Sequence, residues 1–144
     1  MTEPTAWKPS VLFICARNAG RSQMAAAYLA HLARGAVQVG SAGIRPSRQV
    51  SPEVVEAMAE EGIDISAEQP KALTPEAVQD ADVVVTLGCG DEYPVLPGKR
   101  YEDWVLDDPK GKDVPGLRPI RDEIKGRVQQ LLTELLPARH PDAS

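Results

Sequence analysis

Eight residues near the amino terminus concentrate the chemistry of this 144-residue chain. Cys15-Ala16-Arg17-Asn18-Ala19-Gly20-Arg21-Ser22 places a thiol, an arginine and a hydroxyl in one short polar segment. Such a segment, between a strand and a helix, can curl around a tetrahedral oxyanion with its N–H groups turned inward as a nest. On that reading Ala16, Arg17, Asn18, Ala19, Gly20, Arg21 and Ser22 form the oxyanion-binding loop. Gly20 permits unusual backbone angles, and Asn18 tolerates a left-handed conformation and can cross-link the loop. Arg21 offers two parallel donors, which a lysine could not. The nest and the helix dipole favour a thiolate at Cys15, and Ser22 can donate a hydrogen bond to that sulfur. The plainer alternative makes Cys15 a small buried hydrophobe in an ordinary connection. A strand, a cysteine, a polar loop with glycine, an arginine, a serine and then a helix make a far more specific pattern than a cysteine and an arginine six apart.

Other candidates are weaker by residue type alone. Asp107-Asp108-Pro109-Lys110-Gly111 reads as a turn. It could also carry a general acid, which an oxygen leaving group needs. Cys89 follows a valine-rich segment and is either an inert thiol or a redox partner. Arg17 is equally a rim contact or a solvated charge. Tyr93, Tyr101 and Trp104 read as packing residues, because six aromatic residues must serve a whole core. His31 reads as a surface or boundary residue and His140 lies in the tail. The two histidines and two cysteines have no zinc-binding spacing.

The elements that must position these groups alternate. Val11 to Ile14 is an apolar run suited to a strand buried on both faces. From Arg21 strong helix formers continue to Gly35. Val37 to Val39 predicts a second strand, ended by Gly40-Ser41-Ala42-Gly43. Ser51-Pro52-Glu53 predicts a capped helix running to about Glu61, and Thr74-Pro75-Glu76 a shorter one. Asp82 to Leu87 is the strongest strand, and Tyr101 to Val105 a weaker one. Apolar spacing predicts a last helix over 120–136, stopped by Pro137. The pattern is that of one α/β domain over 10–136, in three layers, with a four-stranded, mainly parallel sheet and helices on both faces. Residues 1–9 and 137–144 read as a flexible lead-in and tail. In such folds the ligand site lies beyond the carboxyl ends of the strands.

Composition bounds the function. Apolar residues make up 42% and charged residues 26% of the chain, as in globular proteins. No apolar run reaches the ~20 residues of a membrane span. The opening MTEPTAWKPS is not patterned as a signal peptide, and two cysteines are too few for a disulfide scaffold. A cytoplasmic location is therefore expected. A net charge of −5 argues against nucleic acid and membrane-surface partners, yet a local nest still accepts an anion. Nothing in the sequence reports the oligomeric state.

CARNAGRS followed by QMAAAYL resembles the phosphate-binding loop and first helix of the low-molecular-weight protein tyrosine phosphatases. It is more similar still to the arsenate reductases that share their fold. GSAGIRPS, AMAEEGIDIS, ADVVVTLGCGDEYP, LDDPKG and RPIRDEI extend the resemblance from about Val11 to Leu136. It implies a four-stranded parallel sheet, a nucleophile at Cys15, an oxyanion-binding Arg21 and a proton donor at Asp108, with Asp107 the lesser choice. The phosphatases usually follow this acid and proline with tyrosines that grip an aromatic substrate; Lys110 and Gly111 stand here instead. Thioredoxin-coupled reductases use three cysteines. This chain has Cys89 but Tyr93 before Pro94, so an internal three-cysteine relay is excluded. The GCGD-containing loop, PGKRY and LDDPKG resemble the branch using a small external thiol, and that resemblance implies mycothiol with a mycoredoxin-like reductant and no bound cofactor or metal. Three functions follow in order: an external-thiol arsenate reductase, a phosphatase of phosphotyrosine or small phosphate esters, and a non-catalytic oxyanion-binding regulator. The presence of Cys15, Arg21 and Asp108 together weighs against the third.

Overall fold

The computed structural model describes residues 8–88, 99–109 and 111–136. Eight elements follow one another: β1 (Ser10–Cys15), α1 (Arg21–Ala33), β2 (Gln38–Gly43), α2 (Pro52–Ala59), α3 (Pro75–Asp80), β3 (Val83–Thr86), β4 (Arg100–Asp103) and α4 (Val114–Leu135). The four strands form one sheet in the order β2-β1-β3-β4, and every neighbouring pair is parallel. The expected α/β domain with a four-stranded sheet is therefore observed, and it is wholly rather than mainly parallel.

Burial on both faces explains the unbroken apolar run of β1. Alternate side chains point to opposite sides of a strand. Val11, Phe13, Cys15, Val83 and Val85 enter a large cluster with Met24 and Leu29 of α1, Met58 of α2 and Ile124 of α4. Leu12, Ile14 and Val84 enter a smaller one with Val78 of α3. Trp104 packs tilted on Phe13, with ring centroids 5.8 Å apart. It is a packing residue, as expected, and His31 is exposed.

Three expectations are corrected. β2 does not end at Val39. It continues through Gly40-Ser41-Ala42-Gly43, with Cys15 opposite Gly43. Those small residues suit a strand on which the cysteine loop must lie closely. A Cβ at Gly43 would stand 2.8 Å from the Arg17 carbonyl carbon and 2.9 Å from the Asn18 nitrogen. The last helix starts at Val114 rather than Ile120, and Pro119 lies inside it. Pro119 forfeits an intrahelical bond, but buried Leu117 and the ion pairs of Arg118 and Arg121 with Glu60 anchor the early turns. Asp113 caps that start by accepting the Gly116 N–H at 3.0 Å. Ser51 stands at the start of α2 but makes no side-chain cap; its backbone N–H donates to Ala19 O at 3.1 Å instead. Thr74 does cap α3, accepting from the Ala77 N–H at 3.1 Å.

Candidate active site

The loop from Cys15 to Gly20 has its carbonyls turned away from its centre, and each accepts a hydrogen bond. Ile44 N–H donates to Cys15 O, Arg45 N–H to Ala16 O and Ser47 N–H to Arg17 O. Asn18 O accepts from Gln23 Nε2, Ala19 O from Ser51 N–H and Gly20 O from Met24 N–H. A peptide plane whose carbonyl points outward turns its N–H inward. Among the described residues, the amides of Ala16, Arg17, Ala19, Gly20 and Arg21 have no protein acceptor. This is a nest of donors beside the start of α1, where the helix dipole adds positive potential.

Asn18 is the hub. Its φ of +53° is left-handed, a region asparagine tolerates better than most residues, and its side chain is fully buried. Oδ1 accepts from Lys71 N–H at 2.8 Å and from Gln23 Nε2 at 3.2 Å, which assigns the other end as the amide nitrogen. That nitrogen donates to Ser22 Oγ at 2.7 Å. Ser22 Oγ in turn lies 2.8 Å from Cys15 Sγ, and Asn18 N–H reaches the same sulfur at 3.2 Å. When the sulfur is a thiolate it can only accept, so both groups then donate to it. Cys15 is only 3% exposed and lines a cavity of about 530 Å³.

Arg21, the first residue of α1, and Asp108, in the loop after β4, both line that cavity. Arg21 Nη2 lies 4.0 Å from Asp108 Oδ1; the arginine side chain is 12% exposed and the aspartate 69%. Gly20 lets the acid-bearing loop approach, since a Cβ there would stand 3.2 Å from Pro109 Cγ. Arg17 is exposed at the rim. Asp107 is not among the lining residues. The structure thus brings Cys15, the nest, Arg21 and Asp108 together around one cavity. Cys89 and Tyr93 lie outside the described residues.

Sequence reasoning missed three supports. Gln23 Nε2 ties Asn18 to the 68–71 segment, reaching Gln69 O at 3.4 Å. The signal was a buried polar residue in a helix otherwise rich in alanine and leucine. Gly43 seats the loop, and Gly88 stands beside Arg21. The charge distribution carries a further signal. Between Glu3 and Glu53 there is no carboxylate, while Lys8, Arg17, Arg21, Arg34, Arg45 and Arg48 all fall there. The stretch that builds the nest is basic in a chain of net charge −5, which favours an anion where the global balance does not.

Comparison with known proteins agrees with this chemistry. Residues 10–140 match the model of the low molecular weight phosphotyrosine protein phosphatase family. A thioredoxin-dependent arsenate reductase of Corynebacterium glutamicum superposes with a TM-score of 0.82 at 43% identity, covering 92% of this chain. The chain spans 64% of that protein's length. An arsenate reductase solved in its phosphate-binding state has a TM-score of 0.79 at 36% identity, over 88% of this chain and 98% of that one. The glutaredoxin arsenate reductase of Synechocystis is 38% identical over 128 residues, which is 87% of this chain and 97% of its own.

Proposed function

The chain belongs to the low molecular weight phosphotyrosine protein phosphatase family, and from that premise we propose that it is an arsenate reductase supplied with electrons by an external thiol. One observation carries the reading: every loop carbonyl from Cys15 to Gly20 is tied outward, so the amides face a space fit for a tetrahedral anion, beside a sulfur within hydrogen-bond reach of Ser22 Oγ and Asn18 N–H. Arsenate has the shape and charge of phosphate and fits the same nest.

The Cys15 thiolate attacks arsenic, with Arg21 and the amides holding the oxygens. A sulfur–arsenic bond forms as one arsenic–oxygen bond breaks, and the departing hydroxide takes a proton from Asp108 and leaves as water. A thiolate from outside then attacks the Cys15 sulfur. A sulfur–sulfur bond forms, and the electron pair of the sulfur–arsenic bond passes to arsenic. Arsenic falls from As(V) to As(III) and leaves as arsenite. A second thiol or a redoxin reduces the mixed disulfide.

With Cys15 and Cys89 the only two cysteines, a three-cysteine relay cannot operate, and this supports an external thiol. The finer reading is that the thiol is mycothiol, with a mycoredoxin closing the cycle in the cytoplasm. The Corynebacterium and Synechocystis relatives are named for thioredoxin and glutaredoxin instead. The deciding measurement is arsenite production with mycothiol plus mycoredoxin, with glutathione plus glutaredoxin, and with thioredoxin. The proposal expects turnover in the first arm and retention of much of it in Cys89→Ser. Turnover with thioredoxin alone, abolished by Cys89→Ser, would replace it with an intramolecular disulfide.

Hydrolysis of phosphate esters is the second reading, because Cys15, Arg21 and Asp108 suit an in-line attack on phosphorus equally well. No aromatic side chain lines the cavity among the described residues, so none of these stacks on a phosphotyrosine ring. The proposal expects slow para-nitrophenyl phosphate turnover beside faster arsenate reduction.

A further inference from the structure

We propose that Gly88 is a positioning residue for Arg21, and that its missing side chain is what lets the guanidinium occupy the oxyanion site. This rests on the reading of Arg21 as an anion-binding group. Gly88 directly follows Leu87, whose N–H donates to Ile14 O at 2.8 Å, and it lines the cavity. Its φ of +80° is left-handed. A Cβ at that position would overlap Arg21 Nη1, with Cζ at 3.0 Å and Nη2 at 3.3 Å. The guanidinium therefore lies against the bare Cα of residue 88, on one side, with the Asp108 carboxylate 4.0 Å away.

The atoms that a side chain would strike decide the outcome. At Gly43 the struck atoms belong to the Arg17–Asn18 backbone, which the outward hydrogen bonds hold in place. At Gly88 they are the far end of a long side chain, which can swing aside. A methyl group at 88 thus leaves the fold standing and moves the arginine. The positive φ adds strain, which alanine suffers more than asparagine. The two variants therefore separate strain from space: both carry the Cβ, and only one strongly resists the backbone angle.

The test measures inorganic arsenate and phosphate by their protection of Cys15 from iodoacetamide, in Gly88→Ala, Gly88→Asn, Arg21→Lys, Arg21→Ala and the double variant Gly88→Ala/Arg21→Lys. Both Gly88 variants are expected to keep a cooperative thermal transition and to weaken protection on the order of 10–100-fold, the range of one lost charge-assisted hydrogen bond. The KM for arsenate should rise accordingly. In the double variant the alanine should add less than about twofold, because groups acting through one another are not additive. Undiminished protection in Gly88→Asn, or an additive effect in the double variant, would overturn the role of Gly88. Undiminished protection in Arg21→Lys together with Arg21→Ala would instead remove the premise about the arginine. If Gly88→Ala fails to fold, Gly88→Asn alone decides between these outcomes.

Discussion

Two polar clusters flank α1 and α2, and they solve opposite problems. Beneath the nest, Asn18, Ser22 and Gln23 are buried, neutral and hydrogen-bonded to one another and to backbone groups. Between α2 and α4, Glu60 and Glu61 meet Arg118, Arg121 and Lys125 at the half-exposed surface. The second cluster spends its charge internally. Hydrogen bonds from Arg118 and then Arg121 hold the Glu60 carboxyl at about 2. A bond from Lys125 keeps Glu61 below its ordinary range, and burial, with a bond to Glu61, pushes Tyr28 well up. The first cluster contains no carboxylate that would neutralise the nest. A site that must attract an anion is held in shape by dipoles, and a seam that must only hold two helices together uses ion pairs.

The sharpest break in that contrast is Cys15→Ser, which should abolish arsenate reduction while the thermal transition stays within a few degrees of wild type. Loss of folding would mean that the thiol is a structural member of the core. Asp108→Asn should slow turnover roughly 10²–10⁴-fold, the span of a general acid, with little change in anion protection of Cys15. A loss in Asp107→Asn and not in Asp108→Asn would reverse the choice between neighbours. Arg21→Lys keeps the charge and loses the fork. It should lower kcat/KM by about 3 kcal/mol, the scale of one oxyanion donor, and wild-type kinetics would make the nest sufficient without it.

Gly43→Ala tests the neutral cluster as a scaffold. The methyl group meets backbone at 2.8–2.9 Å, so about 1–3 kcal/mol of stability should be lost in denaturant titration, as in overpacked cores. Activity should fall with it. The smallest effect belongs to the ionic seam. The carboxyl of Glu60 is depressed in the folded state, so its contribution is complete above the unfolded carboxylate range. It is lost as pH falls from about 4.5 toward about 2. Glu60→Gln should flatten the acid limb of a thermal-stability profile in that window and leave kcat at neutral pH unchanged. A profile parallel to wild type would mean that Arg118 and Arg121 find other partners.

Most of this architecture was legible in the order of residues. The run Val11–Ile14 is apolar at every position because both faces of β1 are covered, and that signal needs no partner to be read. Cys15, Gly20, Arg21 and Ser22 carry their chemistry in type and spacing, since a nest is a local object made by consecutive peptides. Asp108 was legible only by resemblance, because aspartate before proline is first of all a turn. What the chain order hid is long-range. Gly40 to Gly43 read as a strand's end, since a glycine's role depends on what approaches it, and the Arg17–Asn18 backbone that approaches comes from a different segment. The early start of α4 depends on Glu60, far away in sequence, which pairs with Arg118 and Arg121 on either side of a proline that local rules place before the helix. Gly88 owes its importance to the tip of Arg21, 67 positions earlier in the numbering. The sequence by itself determined the alternation, the candidate thiol and the candidate anion-binding loop, because these follow from local periodicity and side-chain chemistry. Only the tertiary structure decided which carbonyls turn outward, which aspartate faces the arginine and which glycines must stay bare, because each is a matter of steric contact between segments that the chain order keeps apart.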